Sequence, residues 1–333
     1  MSTVDTGPAV ETRQVVLDEL RTADKFVLVT HENPDGDALG SLVGMQRLLV
    51  ALDKDSVMFM AADEFPLPYE YRFFDFEGLQ SHPPDDLDER TIIFLDCGNI
   101  DRNPVGAFKG DDAHILNIDH HHDNTRFGTV NYVVEDASCT AEIVWDLLNE
   151  LRVEPTLEIA EALYVGLVTD TGRFMYENTG PRAHVMAAHL IDTGVDVHEI
   201  YRRLYEGMPY SKLELLGRAL AHVQRFDDGR LTVTRLTRDD FRLAGAEESY
   251  SEGIIDQLRS VEGTKVAALA REIVDGSSGR KKVSLRSTDG QIDVSIIARA
   301  GGGGGHRQAA GFSTELADDE LVAFLREQVA AQL

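Results

Sequence analysis

Residues 25–30 (KFVLVT) form a short β-branched run, followed by a polar Pro/Gly segment and then by ALGSLVGMQRLLVAL, in which apolar residues recur at helical spacing. This reads as strand, loop and helix. The pattern repeats in looser form. TIIFL at 91–95 ends at Asp96 and HILNI at 114–118 ends at Asp119; each run is too short for a helix and each is followed by a polar loop. Alternation of this kind predicts an α/β fold whose amino-terminal part is a mainly parallel sheet with helices on both faces. In such sheets ligands gather outside the carboxyl ends of the strands.

Helical patterns continue through 141–151, 157–168, 181–193 and about 197–220. After Gly229 the text turns strand-like, with LTVTRL, VAALAREIV and KKVSLRS separated by Asp/Gly or Ser/Gly turns, before a closing helix near 318–332. A chain of 333 residues has room for two domains. The expected division is a catalytic domain at 1–195, a helical connector at 196–215 and a smaller α/β domain at 216–333, with the active-site cleft between the two domains.

Charge divides unevenly along the chain. Residues 1–200 carry 13 basic and 38 acidic side chains, whereas 201–333 carry 19 and 20, so nearly all of the net −26 lies in the first part. A surface this acidic is poorly suited to long duplex nucleic acid, whose phosphates must be neutralised by Lys and Arg. No apolar run approaches the length of a membrane span, and the start of the chain lacks a basic-then-apolar leader. With two cysteines, Cys97 and Cys139, and no CxxC pair, the expectation is a cytoplasmic protein without disulfides.

The chemistry-bearing residues cluster at the predicted strand ends. His31-Glu-Asn-Pro-Asp35-Gly-Asp37 places an imidazole and two carboxylates within seven residues, in a turn shaped by Pro34 and Gly36. Asp96 ends the second run, Asp119-His120-His121 ends the third, and Asp170 stands at the end of the helix that begins near Leu157. Singly, an Asp after a strand is more often a turn former or helix cap. Four segments that each bring an Asp to one sheet edge, two of them with His, exceed the needs of one ion and suit two divalent cations about 3.5–4 Å apart.

This set resembles the four motifs of the DHH phosphoesterases, and GGGGGHRQAAGF at 301–312 resembles the signature of the DHHA1 domain that accompanies one branch of them. The resemblance spans roughly residues 15–330. In layout it is similar to the compact nano-RNase/pAp-phosphatase (NrnA-like) branch, related to the RecJ core but without that enzyme's additional nucleic-acid-binding domain. It implies two Mn²⁺ ions per subunit, with Mg²⁺ or Co²⁺ as alternatives. One takes His31, Asp35 and Asp96; the other takes Asp37, Asp96, His120 and Asp170, so that Asp96 bridges. Asp119 would orient His120, and His121 would hydrogen-bond the phosphoryl oxygens. His122 exceeds the pattern.

Five glycines in a row read, on composition, as flexible linker. Followed by HRQAAGF, the same run reads as a phosphate cradle of Gly303, Gly304, Gly305, His306 and Arg307. Arg286, on a predicted strand, matches a substrate-contacting arginine of similar proteins, and its guanidinium suits phosphate. Arg173, just after Asp170, could meet substrate or cap its helix. The function implied is hydrolysis of short oligoribonucleotides to mononucleotides and of 3′-phosphoadenosine 5′-phosphate (pAp) to AMP. A cyclic di-AMP or pApA phosphodiesterase is the alternative, and a non-catalytic nucleotide sensor the reading from another class. A family II inorganic pyrophosphatase shares the first half, but GGGGGH with Arg286 argues against it. Expected partners are short single-stranded RNA or small phosphorylated nucleotides, with no membrane and with homodimer formation left open.

Overall fold

The computed structural model of the chain describes residues 8–103, 105–110, 113–273, 279–288, 291–305 and 307–333. It comprises two compact units, Met1–Glu206 and Gly207–Leu333.

In the first unit, α1 (Pro8–Thr22), β1 (Lys25–Val29), α2 (Gly36–Ala51) and β2 (Asp55–Met58) are followed by β3 (Thr91–Leu95), β4 (Ile115–Asp119) and β5 (Val130–Val133). The unit closes with α3 (Thr140–Leu151), α4 (Leu157–Asp170), α5 (Pro181–Asp192) and α6 (Val197–Tyr205). The five strands make one wholly parallel sheet in the order β2-β1-β3-β4-β5. Parallel strands are covered on both faces, which is why KFVLV, TIIFL and ILNID read as almost unbroken apolar runs.

The two faces are covered differently. Phe26, Leu28, Ile93, Leu95, Leu116 and Ile118 join the main core with side chains of α1 to α6. Val27, Val29, Ile92 and Phe94 face the other way and meet Phe59 and Phe108 in a smaller cluster. The second face is closed by the short 3-10 turns Leu87–Glu89, Ile100–Arg102 and Gly106–Lys109, so the helical cover expected on both faces is α-helical on one face only.

One helix contact sets the geometry of the site. Glycines at 36, 40 and 44 leave a stripe of α2 without side chains, and α4 lies against it; a Cβ on Gly40 would stand 2.3 Å from the Ala162 carbonyl oxygen. The same contact puts Thr169, next to Asp170 at the end of α4, against Gly36 at the start of α2.

The second unit runs α7 (Tyr210–Ala221), β6 (Gln224–Phe226), β7 (Leu231–Leu236), α8 (Arg238–Ala244), α9 (Ile254–Arg259), β8 (Val266–Glu272), β9 (Lys281–Ser287), α10 (Val294–Ala300), β10 (Gly304–Gly305), β11 (Ala309–Thr314) and α11 (Asp318–Ala330). Its mixed sheet has the order β10-β11-β9-β8-β7-β6, with β7–β8 the one parallel pair. Leu231, Val266, Val283, Leu285, Ile297, Phe312, Leu321 and Leu325 form its core. The helix expected across about 197–220 is instead two helices. Gly207 adopts a φ of +80° and Pro209 offers no N–H, so α6 stops and α7 begins anew. Among the described residues no helix is long and apolar enough to cross a membrane.

Candidate active site

The carboxyl ends of β1, β3 and β4 and the end of α4 bring the polar residues together. Asp35 is the N-cap of α2: its Oδ1 accepts the N–H groups of Asp37 at 3.0 Å and Ala38 at 3.1 Å, leaving the second oxygen for another partner. Asp37, in the first turn of α2, is buried. It accepts the Thr140 N–H at 2.7 Å and the Ala141 N–H at 2.9 Å, which caps the start of α3, whose own N-cap Cys139 has no side-chain bond to offer.

Asp96 sits just past β3 in a left-handed conformation, φ +57°, which Asp tolerates better than most residues. Its Oδ2 lies 3.7 Å from His31 Nε2 and its Oδ1 lies 3.6 Å from His120 Nε2, so one carboxylate faces two separate donor sets. The Thr140 hydroxyl donates to Oδ1 at 3.1 Å. His120 Nε2 also stands 3.7 Å from Asp170 Oδ2. Three groups of donor atoms lie within 4.8 Å of one another: His31 with Asp35 and Asp96, Asp37 with His120 and Asp170, and Asp96 with His120 and His121.

The electrostatics fit a cation there. Burial, reinforced by Asp96, Asp170 and Asp35, pushes the Asp37 carboxyl well above the carboxylate range. Burial likewise pushes Asp170 up to about 7, with His120 opposing and Asp96 and Asp35 adding. Asp96 resists its burial because His31, His121 and His120 surround it, and it is held well below its ordinary value. Buried carboxylates crowded to this degree are a donor set that divalent cations neutralise, and the mixture of imidazole and carboxylate suits Mn²⁺ and its neighbours.

The expectation for Asp119 needs correcting. Its Oδ1 lies 2.7 Å from His121 Nδ1, while Asn124 Nδ2 donates to its Oδ2, so Asp119 orients His121 and not His120. Asp119 is fully buried at the end of β4, and the chain turns there so that His121 folds back over it. Burial works against a charged His121, but the Asp119 hydrogen bond and Asp96 raise it to about 9. His122 is exposed, and the Arg173 guanidinium lies 4.9 Å from the centre of the Tyr205 ring. Cys97 and Cys139 are buried free thiols, with Cys97 pushed up to about 12 by burial.

Sequence reasoning passed over Thr140, Asn124 and Asn178. Asn178 Nδ2 donates to the Ser138 carbonyl at 2.8 Å and to Asp170 Oδ2 at 3.1 Å, fixing one end of the donor set. Asn124 follows Asp119 by 5 residues and Asn178 follows Asp170 by 8, but no local pattern marks either, and Thr140 reaches Asp96 only through folding across 44 residues.

In the second unit, Arg286 on β9 is flanked in register by Ala267 and Ala309, so small neighbours leave its guanidinium room; its Nη1 donates to the Leu285 carbonyl at 3.1 Å. β11 alone separates β9 from the glycine strand β10. The glycines do different work. The Gly303 N–H donates to the Ala298 carbonyl at 2.8 Å, and a Cβ there would stand 2.1 Å from the Gly311 carbonyl oxygen. A Cβ on Gly305 would stand 2.5 Å from Ala310 Cα, whereas one on Gly304 would meet nothing within 4 Å. The Arg307 carbonyl accepts the Val294 N–H at 2.9 Å and its side chain is exposed; His306 lies outside the described residues.

Residues 25–167 match the DHH family, N-terminal domain, and residues 231–331 match the DHHA1 domain. The chain is 36% identical to a protein of Thermus thermophilus named "Bifunctional oligoribonuclease and PAP phosphatase NrnA", over 97% of this chain and 95% of the relative. An exopolyphosphatase-related protein of Bacteroides fragilis has the same fold, with a TM-score of 0.87 at 24% identity over 98% of both chains. RecJ of Thermus thermophilus in complex with Mn²⁺ shares it more loosely, with a TM-score of 0.57 at 16% identity over 99% of this chain and 55% of that one. The matched domains, the full-length relative and the His/Asp cluster at the strand ends agree: the chain belongs to the DHH family of phosphoesterases, hydrolases of the branch that carries a DHHA1 domain.

Proposed function

We propose that this phosphoesterase cleaves short single-stranded oligoribonucleotides to mononucleotides and removes a phosphate from pAp, using two divalent cations of the Mn²⁺ type. One observation carries the reading: the two oxygens of Asp96 face different histidines, His31 and His120, which divides the donors into two halves that share one carboxylate. The Thermus relative is named for the same pair of activities, and the RecJ structure binds Mn²⁺. Mg²⁺ or Co²⁺ would meet the same donors.

His31, Asp35 and Asp96 would hold one cation, and Asp37, Asp96, His120 and Asp170 the other. When bound, such a pair acidifies water and neutralises charge on a phosphoryl group. The chain's own groups supply the rest. Thr140 and the start of α3 hold Asp96 and Asp37 in place, so their oxygens are oriented before substrate arrives. Asp119 takes Nδ1 of His121 and leaves Nε2–H to donate to a phosphoryl oxygen as charge builds there. As water adds to phosphorus, the ester bond to the sugar oxygen breaks and that oxygen leaves with a proton. In the second unit, Arg286 and the turn at Gly304 serve as a grip for phosphate, since an open glycine lets an anion approach the backbone. The acidic excess of the first 200 residues favours short substrates over long duplexes.

Purified protein with Mn²⁺, offered a labelled RNA dinucleotide, a longer RNA, pAp, pApA and cyclic di-AMP, tests the reading. Turnover of the dinucleotide and pAp well above the longer RNA supports it. Preference for cyclic di-AMP or pApA would replace it with the cyclic-dinucleotide reading, and binding without turnover would make the protein a sensor.

A further inference from the structure

Arg102 ends the 3-10 turn Ile100–Arg102, and its backbone is tied to the loop that carries His31. The Arg102 carbonyl accepts the Glu32 N–H at 2.7 Å, and Asn103 Nδ2 donates to the Thr30 carbonyl at 2.9 Å. The Asn99 side chain caps the turn by accepting the Asp101 N–H at 2.9 Å. This position is therefore fixed at the ends of both β1 and β3. The guanidinium is half-buried, and its charge bears on His31 and on His121.

Among the described residues no carboxylate lies within ion-pair distance of Arg102, although the surrounding unit is rich in them and Arg13, Arg47, Arg90 and Arg182 each have one. Neighbouring Lys109 takes Asp101 at 3.6 Å. What Arg102 has is His31: its Nη2 stands 3.0 Å from His31 Nδ1. The same Nδ1 lies 2.7 Å from the Glu32 carbonyl oxygen. A ring nitrogen either carries a proton and donates to that carbonyl or carries a lone pair and accepts from Arg102. It cannot do both. His31 Nε2 faces Asp96, and a cation there would use the Nε2 lone pair, which leaves the proton on Nδ1 for Glu32. Arg102 then faces an N–H, and its half-buried guanidinium, with no carboxylate in ion-pair distance among the described residues, is open to an anion.

We propose that Arg102 is a catalytic residue that grips the non-bridging oxygens of the scissile phosphate beside His31 and Asp96. The assignment rests on the two-cation reading of the site. Guanidinium–phosphate bonds are charge-assisted and directional, and one that strengthens as charge builds on the phosphoryl group speeds its transfer.

The test uses the full chain with Arg102→Ala and Arg102→Lys, each checked for folding by circular dichroism. Calorimetric titration with Mn²⁺ alone comes first, and both variants should match wild type in stoichiometry and within about threefold in affinity. The Mn²⁺-loaded proteins are then titrated with inorganic phosphate. Arg102→Ala should bind it about tenfold or more weakly, with Lys intermediate, and kcat on pAp should fall about 10²-fold or more. Unchanged phosphate affinity and kcat in Arg102→Ala would overturn the proposal. So would weakened Mn²⁺ uptake with phosphate affinity restored at saturating Mn²⁺, because Arg102 would then only steady His31. Wild-type protein that takes up no Mn²⁺ would overturn the two-cation reading itself, and that result is read before any variant is made.

Discussion

Gly40 of α2 lies so close to Ala162 of α4 that a Cβ at position 40 would stand 2.3 Å from the Ala162 carbonyl oxygen. The clash is with backbone, which cannot rotate away, and the same helix contact holds Asp37 and Asp170 near each other. Gly40→Ala should lower stability by about 1–3 kcal/mol even though Ala is the better helix former, because overpacking exceeds the propensity gain. It should also weaken Mn²⁺ uptake. A denaturant midpoint equal to or above wild type would contradict this account.

Asp96 is the one carboxylate shared by both donor sets. Asp96→Ala should therefore lose bound Mn²⁺ in both halves and lower kcat by about 10³-fold or more. Metal analysis of the purified variant is decisive; metal content equal to wild type would show that the two halves do not depend on this residue.

Asn178 holds Asp170 to the Ser138 carbonyl from outside the donor set. Groups in that role typically change metal affinity or activity by about 10–100-fold when removed. Asn178→Ala should fall in that range, read as a higher Mn²⁺ concentration for half-maximal activity. Identical Mn²⁺ dependence in variant and wild type would leave Asn178 without a part in the site.

The glycine run separates into crowded positions, Gly303 and Gly305, and an open one, Gly304. Gly303→Ala should destabilise the second unit, since its Cβ would stand 2.1 Å from the Gly311 carbonyl oxygen; Gly304→Ala should fold normally, since its Cβ would meet nothing. If the turn grips phosphate, Gly304→Ala and Arg286→Ala should both raise KM for pAp by about tenfold with little change in kcat. Normal KM in both would remove that role from the turn.

Without bound metal the site should also report pH. Burial, with Asp96 and Asp35 adding and His120 opposing, lifts Asp170 to about 7. The folded chain thus binds a proton that the unfolded chain releases above about pH 4. That contribution is fully present below about pH 4 and is lost as pH rises through 7. His121, raised to about 9 by Asp119 and Asp96 against its burial, acts in the same direction: its contribution is present below about pH 6.5 and is lost as pH rises through about 9. The melting temperature of metal-free protein should fall between about pH 5 and 9, and saturating Mn²⁺ should remove much of the fall by replacing the protons. A metal-free melting temperature that rises over this interval would have the wrong sign.

Three strands of the parallel sheet, β1, β3 and β4, and the polar residues at their ends were legible in the sequence, whereas β2 and β5 were not. Apolar runs such as TIIFL and HILNI are local signals, and a polar residue that ends such a run must lie where the sheet meets solvent. It also yielded β7, β8, β9 and α11, whose periods are strong and uninterrupted. The rest follows from packing between elements distant in the chain. That Asp119 orients His121 and not His120 depends on how the chain turns after β4, and neighbouring histidines in a sequence carry no sign of which faces the carboxylate. Thr140 and Arg102 lie 44 and 71 residues from the groups they contact, and Asn178 ties Asp170, 8 residues before it, to Ser138, 40 before it, so their roles arise from helix packing and strand order. The break between α6 and α7 was written locally in Gly207 and Pro209, but the apolar spacing on either side runs on across it. Side-chain patterns report which face an element buries; the distances between elements follow from packing, and here a glycine stripe on α2 sets the one that matters most.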